Sequence, residues 1–150
     1  ILKLKDKNDP VIREFARCFR FLRGLDDLVL IRVPPHVPNE VSGMELLARR
    51  IAREYGVTNE SANLKRVVEV PQRKISRGED RSMSETQRKQ VFDSLELVDP
   101  DGLEGKEVLL IDDVATTWDT MDCCESIIAR DAYPGAIYCL VLGRTNPPRR

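Results

Sequence analysis

The sequence predicts an α/β domain with a central, mainly parallel sheet and helices on both faces. Stretches with apolar residues at helical spacing alternate along the chain with short apolar runs. Those runs are continuous in hydrophobicity, as strands buried on both faces tend to be. A length of 150 residues suits one such domain, expected at residues 1–145 and followed by a loose tail at 146–150.

Ile1 to Leu4 reads as a short opening strand. Asp9 is placed to cap a helix with Pro10 at its first position. Ile12, Phe15, Ala16, Phe19 and Leu22 share its apolar face, and Gly24 ends it. Leu28 to Val33 is a buried strand, stopped by Pro34-Pro35-His36-Val37-Pro38. Ser42 and Glu45 form a capping box for a second helix. Met44, Leu47, Ala48, Ile51 and Tyr55 line that helix, and Gly56 closes it. Val67 to Val70 reads as a strand. Pro71 to Gln90 then turns polar and basic, a loop leading into a short helix capped by Ser84. Leu95 to Val98 is a small strand, and Pro100-Asp101-Gly102 is a turn. Glu107 to Ile111 is the strongest strand. Met121, Cys124, Ile127 and Ile128 mark the buried face of the next helix, and Ala136 to Leu142 is the last strand.

Charge excludes some function classes. Lys and Arg total 24 against 25 acids, for a net charge of −1, so there is no general attraction to nucleic acid or to anionic membranes. No apolar run reaches the roughly 20 residues of a membrane helix. Ile1 to Asp6 is not a secretory signal, and the absence of an initial Met points to a trimmed chain or part of a longer one. The four cysteines (Cys18, Cys123, Cys124, Cys139) contain no C-x-x-C pair, and His36 is the single histidine. A zinc site of ordinary ligand spacing is thereby excluded, and buried reduced thiols in a cytoplasmic protein are expected.

In α/β folds of this order, ligands bind at the carboxyl ends of the strands. The strand ending at Ile111 is followed by Asp112-Asp113-Val114-Ala115-Thr116-Thr117-Trp118-Asp119-Thr120. Neighbouring strand residues point to opposite faces, so one Asp is set to reach a ligand hydroxyl or a metal ion. The other orients the loop or meets a second hydroxyl. Hydroxyls and free amides at a helix start make an anion cradle. A polyol with a phosphate at one end matches this order. The bland alternative is a strand end whose aspartates cap the next turn.

Val108 to Thr120 resembles the phosphoribosyl-pyrophosphate (PRPP) motif of type I phosphoribosyltransferases. That motif is an apolar strand, Asp-Asp-Val, any residue, Thr-Thr-Gly, any residue and Thr. Across most of the chain the resemblance is to one branch, the competence protein F (ComF) family. Leu2 to Asp6 resembles its opening strand, Ile31 to His36 its Val-Pro strand end, and Glu45 to Arg49 the helix behind. Arg73, Met83, Ser84, Arg88, Gln90 and Val91 fall where its basic loop has a similar pattern, and Gly135 to Arg144 resembles its final strand.

The resemblance implies a type I phosphoribosyltransferase-like fold and transfer of a phosphoribosyl group to a nitrogen nucleophile, with release of pyrophosphate. It implies that Asp112 and Asp113 hold the ribose hydroxyls and serve Mg²⁺, which bridges the anions. Val114, Ala115, Thr116, Thr117, Trp118, Asp119 and Thr120 would enclose the 5-phosphate. Pro35, His36, Arg73 and Arg88 would meet pyrophosphate. Lys74, Arg77 and Arg81 belong to the same basic stretch, which is either a pyrophosphate clamp or a solvated loop. His36 is likewise either a site group or a surface residue. The expected partner is PRPP or a related sugar phosphate with an acceptor that the sequence does not name. A homodimer or a subunit role in a larger complex is also expected, without direct nucleic-acid contact.

The chain departs from the motif at Trp118, where the family has Gly, a residue that permits a positive φ. Three readings of the Trp stand open: the cradle is spoiled, the indole turns out to solvent or a partner, or the ring stacks on a ligand. Asn39 to Ser42 replaces the family's Arg-Gly-Phe-Asn, and Asp80 stands at its usual Gln. The competing class is a non-catalytic module that senses a nucleotide or PRPP, or assembles with a DNA-processing or defence machine.

Overall fold

A computed structural model describes residues 4, 6–70, 83–115 and 118–144. Helix α1 is Asp9–Arg17, followed by a short 3-10 helix at Arg20–Leu22. Strand β1 is Leu28–Arg32, helix α2 Gly43–Tyr55, strand β2 Thr58–Asn59 and strand β3 Leu64–Arg66. Helix α3 spans Glu85–Asp93 and strand β4 Leu95–Leu97. Strand β5 is Glu107–Ala115, helix α4 Asp119–Ala132 and strand β6 Ala136–Arg144.

The fold is α/β. Its main sheet has four strands in the order β2-β1-β5-β6, every neighbouring pair parallel. β3 and β4 form a separate antiparallel pair. The sheet divides two hydrophobic clusters by side-chain parity. Val29, Ile31, Val108 and Leu110 pack towards Met121, Cys124, Ile127 and Ile128 of α4. Leu28, Leu30, Leu109 and Ile111 pack towards Leu47, Ala48 and Ile51 of α2 and Ile12 and Ala16 of α1. Each large aliphatic side chain so buried contributes about 1.5–3 kcal/mol. No helix among the described residues is long and apolar enough to cross a membrane.

Several boundaries differ from the sequence reading. Asn8, not Asp9, caps α1: its Oδ1 accepts from the Val11 amide at 3.2 Å. Asp9 instead pairs with Arg13 one turn on and with Arg50 of α2. Of the expected opening strand, Leu4 is helical and buried, and residues 1–3 lie outside the described residues. The expected strand at Val67 to Val70 lies earlier, at Leu64–Arg66, and Val67 and Val68 are exposed. The cysteines are all unpaired thiols, but Cys18 is exposed and Cys139 half-buried; Cys123 and Cys124 are the buried ones.

Ser42 caps α2 as expected, accepting from the Glu45 amide at 3.2 Å. The reciprocal half of the box is spent elsewhere, because Glu45 binds Arg32 at the end of β1 and Arg49 on its own helix. Burial raises the Glu45 pKa, but the hydrogen bonds and charges of Arg32 and Arg49 outweigh it. The carboxyl is therefore held below its ordinary value of 4.5. The carboxylate thus stabilises the folded state above that value, and this contribution is lost as pH falls through the folded one. Urea denaturation at neutral pH and at about pH 3.5 should show Glu45→Gln losing less stability on acidification than the parent chain.

Candidate functional site

Two strands leave the sheet in opposite directions. β1 crosses through α2 to β2 on one side, and β5 crosses through α4 to β6 on the other. The strand order reverses between β1 and β5, and the crevice beyond their carboxyl ends is where open α/β sheets take ligands. The lengths of the two strands shape it. β1 stops at Arg32, in register with Ile111, and the Val33 amide donates to the Ile111 carbonyl at 2.9 Å. β5 runs on to Ala115, paired with β6 alone from Asp112↔Val141 onward. Asp112 and Asp113 are therefore still in strand, beyond the end of β1, rather than at the point where β5 ends.

Strand alternation sends the two aspartates to different faces. Asp112 has the parity of Val108 and Leu110, which face α4; Asp113 has that of Leu109 and Ile111, which face α2. Each folds one carboxylate oxygen onto the next amide. Asp112 Oδ1 accepts from Asp113 N, and Asp113 Oδ1 from Val114 N, both at 2.8 Å. The buried thiol of Cys124 registers Asp112: burial first, then the charge of Asp112, raise its pKa, while Arg66 lowers it.

Trp118 stands at φ 67° and ψ −10°, in the left-handed region, as the residue preceding α4. Its carbonyl accepts from the Asp122 amide at 2.9 Å, opening the helix, and no side chain caps it. The backbone thus adopts a conformation that glycine would take without strain. A non-Gly residue there costs about 1–2 kcal/mol. The indole is half-buried against the α4-side cluster, which offsets part of that cost.

The first turn of α4 is also tied to the start of α3. Asp119, 8% exposed, accepts from the Met83 amide at 2.9 Å through Oδ2. Arg88 lies 3.7 Å from Asp119 and 3.9 Å from Asp122, and its carbonyl accepts from the Cys123 thiol at 3.8 Å. Ser84 and Gln87 complete a reciprocal capping box on α3. Arg88 is thus turned to the acids of α4, while Thr120 is half-buried in the same first turn. His36 is exposed in the loop after β1, and the Pro35 carbonyl accepts from Arg66 Nε at 2.7 Å. Thr116, Thr117, Arg73, Lys74, Arg77, Arg81 and the tail 145–150 lie outside the described residues, as does the side chain of Ala115.

Among the described residues no group of three or more His, Cys, Asp and Glu side chains gathers to hold a metal. The chemistry of the donors still fits a magnesium ion carried by its ligand. Mg²⁺ keeps several waters and is bound by one or two carboxylates plus substrate phosphates. A shallow depression of about 400 Å³ between α4 and β6 is lined by Glu125, Ala129, Tyr133, Pro134, Ala136 and Ile137. It lies at the amino end of β6, away from the aspartates.

The sequence reading passed over Arg66 and the contacts of Asp119. Arg66 had a signal: Leu64 and Arg66 share strand parity, so a strand at 64–66 with Leu64 inward sends Arg66 inward too. Asp119 had none, because its partner Met83 is 36 positions away.

Fold and crevice together define a doubly wound α/β domain whose strand order reverses beside an Asp-Asp pair. No family model and no curated protein matches the chain.

Proposed function

We propose that this chain is a PRPP-binding, type I phosphoribosyltransferase-like domain of the ComF kind. The observation that carries the reading is the junction of β5 and α4. There an Asp pair at a strand-order reversal is followed by a left-handed residue at a helix start. Asp112 and Asp113 bind the ribose hydroxyls, and the amides opening α4, with Thr120, bind the 5-phosphate. The loop after β1, with Pro35 and His36, meets pyrophosphate. In the reaction the anomeric C–O bond to pyrophosphate breaks, a C–N bond to the acceptor forms, and the nitrogen loses a proton to solvent. No side chain need act as a nucleophile; binding supplies position and charge neutralisation. An aspartate of the pair would hold Mg²⁺, which would supply neutralisation of the polyanion.

Titration calorimetry of the chain with PRPP and Mg²⁺ tests the reading: saturable binding is expected, and none at millimolar ligand overturns it. Pyrophosphate release across a panel of bases and amines separates transferase from sensor. The second reading, a sensing or assembly module, is favoured by the indole at the position of the motif's Gly. Binding without release would establish it.

Trp118→Gly removes the strained left-handed side chain and opens the backbone. PRPP affinity is expected to rise several-fold through the freer approach of the backbone to phosphate, while the roughly 1–2 kcal/mol of relieved strain goes into folding stability. Calorimetry of the two chains side by side checks this; weaker binding in the variant would show that the ring contributes to the site.

A further inference from the structure

The loop after β1 rests on a buried cation. Arg66 is 5% exposed, and its two hydrogen bonds go to neutral groups. Nε donates to the Pro35 carbonyl at 2.7 Å, and Nη1 donates to the Ser94 hydroxyl. Ser94, also buried, donates through its own hydroxyl to the Val91 carbonyl at 2.6 Å. Arg66 thereby ties together β3, the carboxyl end of α3 and the lip of the crevice. Among the described residues it has no carboxylate partner, and burial pulls its pKa below the ordinary guanidinium value. The loop it holds leaves the carboxyl end of β1, at the same end of the sheet as Asp112 of β5. A guanidinium withdrawn from water without a counter-ion is costly, and the cost is recovered when an anion arrives nearby.

We propose that Arg66 is a positioning residue for anion binding in the crevice. It holds the Pro35 carbonyl, and hence the loop after β1, in the shape that receives a polyphosphate. Its unmatched charge favours that anion without touching it. The proposal rests on the reading that the crevice takes an anion, and it adds which buried residue prepares the crevice.

The test uses the full chain and inorganic pyrophosphate with Mg²⁺, followed by calorimetry, with thermal melts in the absence of ligand. Arg66→Met is expected to fold and to bind pyrophosphate at least about tenfold more weakly, the scale of losing one charge-assisted hydrogen bond. Its melting temperature should stand level with the parent or above it, because a buried unmatched charge has gone. Arg66→Lys keeps the charge and a donor for the Pro35 carbonyl, and is expected to bind within about threefold of the parent. Parent-like binding by the Met variant, or a Lys variant as weak as the Met variant, overturns the proposal. If the Met variant fails to fold, the Lys variant decides: affinity within about threefold upholds the proposal and a tenfold loss overturns it. A parent chain that binds pyrophosphate but not PRPP sinks the PRPP reading and leaves Arg66 its role. A parent that binds PRPP, with a Met variant that binds equally well, does the reverse.

Discussion

Replacing Asp112 and Asp113 together by asparagine is expected to abolish measurable PRPP binding while leaving the fold intact. Asparagine keeps the size of each side chain and an oxygen able to accept from the next amide, as both aspartates do at 2.8 Å. What it removes is charge, and with it the charge-assisted hydrogen bonds to a diol and the attraction for Mg²⁺. Hydrogen bonds to charged groups are worth about 1.5–3 kcal/mol each, so losing two lowers affinity by roughly 10²-fold or more. Each single substitution should cost about tenfold, and because the two carboxylates serve one ligand their effects should not simply add. Calorimetry on the three variants, with circular dichroism as the check of folding, reads this directly. Unchanged affinity in the double variant would remove the sugar from the crevice and the proposed function with it.

Gly43→Ala is expected to produce the largest loss of stability from a single added methyl group. Gly43 is the first residue of α2, where alanine would ordinarily be the better helix former. Here a Cβ would stand 1.9 Å from the Leu4 carbonyl oxygen, a backbone atom that cannot rotate away. Leu4 is itself buried in the cluster shared by α1, α2 and the sheet, so relief means undocking that segment. Overpacking of this kind costs about 1–3 kcal/mol. For a chain of this size that corresponds to a fall of roughly 3–10 °C in Tm. Differential scanning calorimetry measures it; an unchanged Tm would mean that the segment around Leu4 does not dock on α2.

What could be read from the sequence follows from where periodicity is strong. The parallel sheet with helices on two faces was legible because Leu28 to Val33 and Glu107 to Ile111 are uninterrupted apolar runs, and because Met121, Cys124, Ile127 and Ile128 keep helical spacing. Strand β2, two polar residues long, was not legible: Thr58 and Asn59 are strand only because β1 offers them an edge. The Val67 to Val70 reading failed because β-branched residues favour strands only when something covers them. Here the chain pairs one turn earlier, with β4. The crevice was half legible. Asp112 and Asp113 stood out as a pair after apolar residues, but their place within an extended β5 depends on how far β6 runs beside it. Arg66 and Asp119 depend on partners distant in sequence, the Pro35 carbonyl and the Met83 amide, and no local pattern encodes such distant contacts.

The chain has a single tryptophan, and it sits at the threshold of α4 with its ring half-covered by the core. Nature has therefore mounted one fluorophore beside the junction on which the proposed chemistry turns. Its emission, unobscured by any second indole, should report in real time the arrival of an anion in the crevice or the loosening of the core behind it.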